Sequence, residues 1–289
     1  MNHPGETLRY IRKSKKMTLA KLAHGEVSVA FLSRFERGDC DISFTHLLSL
    51  LKKLNVTIDE FLYVNNNYEI SDFQKFFNDL KKYVMEDNLH MLRVLQERMN
   101  DLYIMKEKNY YLHFSAIASL YIQRISKKKQ DPKVIKILND YLTDIEVWGY
   151  YELVIYNNSL FAFPVNQMIE LSRMAFEKSM DYHPLGRGES MKQNILLNSA
   201  AVLLENDRLS EANTFLILLG ESLNQEKDSY MKIKWTFLKG IYNIKFGRIE
   251  RGKKMALKAI QIFTDLESTS QASTHSKYLQ EVLDSTILK

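Results

Sequence analysis

Arg34 and Arg37 close the stretch VSVAFLSRFERG (27–38), with Ala30 and Ser33 ahead of them. At i, i+3, i+4 and i+7 these four share one face of a helix, and Phe31, Leu32 and Phe35 share the other. Small residues near the start of such a helix permit close approach to a nucleic-acid groove. A guanidinium further along offers a planar fork to a guanine edge. Arg34 is therefore expected to read a base and Arg37 to hold phosphate. Arg12, Lys13, Lys16 and Lys21, with the hydroxyls of Thr18 and Ser28, complete the expected DNA-contacting set. Charge supports it: residues 1–37 hold eight Lys/Arg against three acids, whereas the whole chain carries only +5. Glu36 falls nearer the buried side of the wheel and needs a cationic partner, either Arg9 or Arg12.

A second set is built from amides. Asn194 and Asn198 lie at i and i+4, one above the other, and an amide can both donate to and accept from a peptide backbone of any sequence. Asn158, beside Asn157, and Asn243 extend the set, with Tyr150, Tyr151 and Tyr242 as apolar walls. Together they form a candidate site for a short peptide.

Patterns for catalysis are thin. The seven histidines make no metal-ligand spacing, and no Walker or dinucleotide glycine motif occurs. The Gly-x-Gly of HPLGRGES reads as a loop with a helix start. Cys40 is the single cysteine. It fits a reducing cytoplasm and reads as a loop thiol, with a cross-subunit disulfide left open. The expectation is no enzyme, no cofactor and no metal. No N-terminal apolar core and no apolar run of about 18 residues predicts a membrane segment.

The elements that position these residues are helices. Ten Gly and four Pro in 289 residues, with 45% apolar residues, indicate helices joined by short loops. Four times before residue 64 an apolar residue precedes Ser or Thr, and another apolar residue follows. The four are Met17-Thr18…Leu22, Val27-Ser28…Leu32, Ile42-Ser43…Leu47 and Val56-Thr57…Phe61. Each hydroxyl can cap a helix start and each apolar pair can staple it. Thr57 and Glu60 also read as a capping box. With an amphipathic opening segment around Leu8 and Ile11, residues 1–64 are expected to form a five-helix helix-turn-helix domain, Gly25 turning the chain inside HGEV.

Residues 65–70 (NNNYEI) read as a linker. Residues 71–289 read as helices over 71–86, 88–106, 109–126, 132–144, 149–160, 165–181, 188–206, 209–222, 229–246, 249–265 and 271–286. NSAAVLLENDRLSEA (198–212) aligns with LKGIYNIKFGRIERG (238–252) at an offset of 40. Gly240, Gly247, Ala256 and Ala259 match the small-residue spacing of a tetratricopeptide (TPR) hairpin. The fold expected is therefore all-α, a TPR-like right-handed helical repeat following the N-terminal domain, with a concave face for ligand.

LRYIRKSKKMTLAKLA, VSVAFLSRFERGDCDIS and LLSLLKKLNVTIDEFL together resemble the helix-turn-helix of phage-repressor-like (XRE) proteins. The shortened turn and FLSRFERGDCDIS narrow this to Rgg/GadR/MutR-type regulators of Gram-positive bacteria, and EVWGYYELVIYNNSLFAFPVNQMIELSR (146–173) is similar to their C-terminal region. Leu19 stands where the broad class often has a phosphate-gripping Gln. The resemblance implies a homodimeric cytoplasmic regulator of transcription. It would bind a double-stranded DNA operator and a short signalling peptide, the pheromone of a quorum-sensing circuit. The alternative is an interaction protein whose repeat domain takes another folded protein, with DNA binding secondary.

Overall fold

The structure, a computed structural model, describes residues 3–179, 188–223 and 226–287. The described residues form helices and no strands, in two compact units, 1–78 and 79–289.

In the first unit five helices follow in order: α1 (Pro4–Ser14), α2 (Leu19–Ala23), α3 (Val29–Arg37), α4 (Phe44–Lys53) and α5 (Ile58–Asn65). All four expected caps form. Thr18, Ser28, Ser43 and Thr57 accept from the N–H groups of Lys21, Phe31, His46 and Glu60. The capping box is only half made: among the described residues the Glu60 carboxylate makes no return bond to Thr57. Leu8, Leu22, Leu32, Phe35, Leu50 and Phe61 fill the core. Phe31, expected inside, is half-buried, and Glu36 takes the buried place on that side.

α1 packs close over the end of α3. A Cβ on Gly5 would stand 1.7 Å from the Phe35 carbonyl oxygen, so only glycine fits. Asn65 ends α5 buried, accepting a hydrogen bond from the Thr7 hydroxyl at 2.8 Å. α6 (Asp72–Met85) runs across the division between the units.

The second unit continues with α7 (Leu89–Lys106), α8 (Asn109–Ile125), α9 (Pro132–Asp144) and α10 (Tyr150–Asn157). After a 3-10 turn at Leu160–Ala162 come α11 (Val165–Ser179), α12 (Gly188–Glu205), α13 (Leu209–Ser222), α14 (Ser229–Lys245), α15 (Ile249–Asp265) and α16 (Thr269–Ile287). The expected helix over 149–160 stops early. Asn158 Nδ2 donates to the Val154 carbonyl and Ser159 Oγ to that of Ile155. Such side-chain bonds compete with the next helical turn, and Pro164 holds Phe163 extended. The expected break at His183–Gly186 lies outside the described residues, as does most of HPLGRGES.

Hairpins α12–α13 and α14–α15 repeat one geometry. Asp207 and Gly247 both take positive φ (55° and 88°). The next residues donate to carbonyls forty positions apart, Arg208 to Leu203 and Arg248 to Asn243, at 2.9 and 2.8 Å. The α6–α7 turn is built the same way around Asp87, with Asn88 donating to Tyr83. In α14–α15 the backbones nearly touch. A Cβ on Gly240 would meet Ala256 N at 2.8 Å, and one on Gly252 would meet Gly240 O at 2.5 Å. Alternate helices also pack on one another: α10 on α12, α12 on α14 and α14 on α16. They form the inner layer of a TPR-like superhelix.

A buried polar cluster ties α8, α9 and α10. His113 Nδ1 lies 2.9 Å from the Tyr151 hydroxyl, and Tyr141 donates to the Glu152 carboxylate. Burial pushes the His113 pKa down to about 4, against the opposing pull of Glu152. Its unfolded value lies near 6.5, so between these values the unfolded chain binds the extra proton. The second unit is therefore expected to hold full stability above about pH 7 and to lose it as pH falls from about 6.5 towards 4. Burial lowers the His275 pKa as well, and its contribution has the same sign. Urea midpoints from pH 7.5 to 5 measure the slope. His113→Gln should flatten it, and an unchanged slope would remove His113 from the account.

Candidate nucleic-acid interface and ligand face

α2 and α3 meet through the HGEV turn, where Gly25 takes φ 77°. Lys53 on α4 steadies this turn by donating to the His24 carbonyl and pairing with Glu26 at 3.8 Å. The sequence gives no hint of that bond across 29 residues. Leu22, Ala23, Leu32 and Phe35 anchor both helices in the core, and Leu19 packs against it too. The helix pair, fixed at its rear, leaves Lys21, Ala30, Arg34 and Arg37 exposed, together with the caps Thr18 and Ser28; Lys13, on α1, and Lys16, in the turn after it, are exposed as well.

The cap bonds of Thr18 and Ser28 use an oxygen lone pair, leaving each O–H available to a phosphate. Ser33 is half-buried and accepts from Arg37 Nη1 at 2.8 Å, while Arg37 Nε reaches Asp39 at 2.8 Å. This exposed pairing is weak and serves to orient the side chain. Arg34 pairs with no carboxylate among the described residues.

Arg12 does not belong to this face. It is 8% exposed, and its Nε and Nη2 each donate to a Glu36 carboxylate oxygen at 2.7 Å. Nη1 donates to the Met17 carbonyl at 2.8 Å. The bond to Glu36 raises the Arg12 pKa although burial opposes it. Every arm of the fork is used inside the unit. Arg12 is thus the partner that Glu36 requires and is unavailable to DNA.

In the second unit, Asn198 Nδ2 donates to Asn157 Oδ1 at 3.1 Å, joining α12 to α10 within the inner layer. Asn194 lies one turn earlier, half-buried, and its side chain makes no hydrogen bond among the described residues. Four expected members, Asn243, Tyr242, Asn158 and Tyr151, are engaged elsewhere. Asn243 is 3% exposed and donates to the Lys239 carbonyl of its own helix at 2.7 Å. Its neighbour Tyr242 stacks on Phe246, beneath the Lys239 ammonium that reaches Asn213 of α13. Asn158 turns back on α10, and Tyr151 is held by His113. Tyr150 is half-buried at the start of α10.

Sequence reasoning passes over the residues that complete the inner face. Arg124 on α8 pairs with Glu205 on α12 at 2.7 Å, and its guanidinium lies 4.6 Å from the Phe161 ring centre. Tyr121 packs edge-on against Phe161 at 4.9 Å. The buried Tyr278 hydroxyl of α16 has no hydrogen-bond partner among the described residues. Burial first, and then the charge of Glu205, raise the Tyr278 pKa. The sequence carries no local signal for groups so far apart.

Residues 89–277 match the family model of the HTH-type transcriptional regulator Rgg, C-terminal domain. Residues 8–61 match a helix-turn-helix model. The chain belongs to the Rgg family. Its Rgg-type fold recurs in solved structures. A putative transcriptional regulator from Listeria monocytogenes EGD-e shares 22% identity, with 98% of each chain covered and a TM-score of 0.82. The SHP pheromone receptor Rgg2 of Streptococcus dysgalactiae shares 25%, covering 96% of this chain and 99% of that one, with a TM-score of 0.74. Bacillus thuringiensis PlcR, solved with the peptide PapR7 and DNA, shares 17%, covering 94% and 99%, with a TM-score of 0.65. Among the described residues of this Rgg-family chain, no helix is long and apolar enough to cross a membrane. Nor do His, Cys, Asp and Glu gather there into a metal-holding group.

Proposed function

We propose that this chain is a homodimeric cytoplasmic transcription regulator. It reads a double-stranded operator through α2 and α3 and is controlled by a short signalling peptide on the inner face of its second unit. The observation that carries the peptide reading is a set of polar bridges between helices of this unit: Asn198 to Asn157 between α12 and α10, and Arg124 to Glu205 between α8 and α12, with the Arg124 guanidinium near the Phe161 ring that also packs on Tyr121. The Tyr278 hydroxyl of α16 is buried without a hydrogen-bond partner among the described residues. A peptide backbone satisfies such groups irrespective of side chain, and a buried hydroxyl without a partner costs about 1–3 kcal/mol. Family membership and the peptide complex of PlcR support the same reading.

A dimer is proposed because one helix-turn-helix reads only a half-site, and two-fold symmetry doubles the sequence read. The first unit is assigned to DNA, and the second to ligand and to most of the dimer contact. The lone Cys40 fits the cytoplasm.

Native mass spectrometry of protein purified from its own host tests the peptide assignment. A dimer carrying a retained peptide mass is expected. Asn198→Ala removes the Asn157 partner and one donor for the peptide, a loss of about 1–3 kcal/mol, or about tenfold in retained peptide. A wild-type protein with no peptide mass, or equal retention in the variant, would count against this face as the site.

A further inference from the structure

Three cations meet where α14 turns into α15, and nothing in the proposed peptide or operator site uses them. Lys239 is half-buried on α14, its ammonium 2.9 Å from Asn213 Oδ1 and 5.0 Å from the Tyr242 ring centre. Arg248 and Arg251 are exposed, three apart across the first turn of α15. The Arg248 guanidinium lies 5.0 Å from the centre of the Phe246 ring, which itself stacks on Tyr242.

None of the three pairs with a carboxylate among the described residues; Asp207 pairs with Lys245 and Glu211 with Arg208. Glu250 shares the first turn of α15 but makes no ion pair among the described residues. Burial first, and then the charges of Arg251 and Arg248, lower the Lys239 pKa, so the three positive groups act on one another. Unlike the ion pairs of the inner face, this cluster is held against its own repulsion. A partner that brings carboxylates relieves it.

The surroundings are apolar as well as basic. Phe246 is 52% exposed, Ile249 39% and Leu257 47%, Ile249 and Leu257 lying two turns apart on α15. Both features have to be matched by whatever binds.

We propose that the α14–α15 turn is a docking site for an acidic segment of a second protein, with carboxylates for Lys239, Arg248 and Arg251 and apolar side chains for Phe246, Ile249 and Leu257. A protein segment fits better than a nucleic acid. The Phe246 ring already carries Arg248 and stacks on Tyr242, so its faces are not offered for base stacking, while its exposed remainder can meet an aliphatic side chain. Lys239, half-buried and tied to Asn213, suits one carboxylate rather than a continuing phosphate backbone.

The test uses the full chain and a fluorescein-labelled twelve-residue peptide alternating Asp/Glu pairs with Leu and Phe. Fluorescence anisotropy is expected to give saturable binding that weakens tenfold or more in Arg248→Gln/Arg251→Gln. Both positions are exposed, so the variant's urea midpoint should match wild type. A peptide with Gln and Asn in place of the acids should bind at least tenfold more weakly to wild type. Equal affinity of wild type and variant for the acidic peptide would place binding elsewhere and overturn the proposal. So would a labelled twelve-nucleotide single strand that binds more tightly than the peptide and is lost in the same variant.

Discussion

Arg12→Ala is expected to abolish operator binding by unfolding the first unit, not by removing a DNA contact. Glu36 is 3% exposed and depends on Arg12 for two hydrogen bonds. Removing one partner of a buried pair strands the other charge in low dielectric, at a cost of about 3–5 kcal/mol. The Met17 carbonyl loses its bond to Arg12 as well. Native domains hold only about 5–15 kcal/mol in total, so a unit this small should be largely unfolded at 37 °C. Replacing both partners by apolar residues is a different perturbation. Arg12→Met with Glu36→Leu removes both charges and is expected to stay within about 1–2 kcal/mol of wild type in urea titrations. If Arg12→Ala melted like wild type and lost affinity alone, Arg12 would be a DNA contact after all.

Arg34→Ala should do the reverse. The side chain is exposed, unpaired with any carboxylate among the described residues, and in the second turn of a helix whose rear is locked by Leu32 and Phe35. Its removal leaves the urea midpoint within about 0.5 kcal/mol of wild type. Operator affinity should fall by about 1–3 kcal/mol, or about five- to 150-fold, with the loss concentrated at one base pair. Lys13→Ala differs again: it weakens binding to all sequences and lowers the dependence on salt by about one phosphate contact. A footprint titration across salt concentrations separates these behaviours.

Those contrasting expectations follow how the sequence can be read. The four caps, the α2–α3 turn and the buried side of α3 are legible because each depends on residues within about one helical turn. The forty-residue repeat was legible because the same turn chemistry, Asp207 then Arg208 and Gly247 then Arg248, recurs at fixed spacing. Glu36's need for a cation was legible too, whereas the choice between Arg9 and Arg12 required the packing of α1 on α3. The inner face was harder. Asn198 and Asn157 were visible as amides but not as partners. Asn243 entered the set as an amide on the next hairpin, yet at the forty-residue offset it stands where the first hairpin has the buried Leu203, and its side chain turns to the Lys239 carbonyl. Arg124 and Glu205 come from different helices, 81 residues apart in the chain, and their pairing is a property of the superhelix rather than of any local pattern.

In-vitro selection of random double-stranded DNA by the full-length protein and by Arg34→Ala, sequenced in parallel, is the most direct test of α3 as the reading helix. Wild type is expected to enrich an inverted repeat whose half-sites are related by two-fold symmetry. The variant should enrich the same repeat with the preference erased at one position in each half. Enrichment of an identical motif by both proteins, with equal preference at every base pair, would contradict the account.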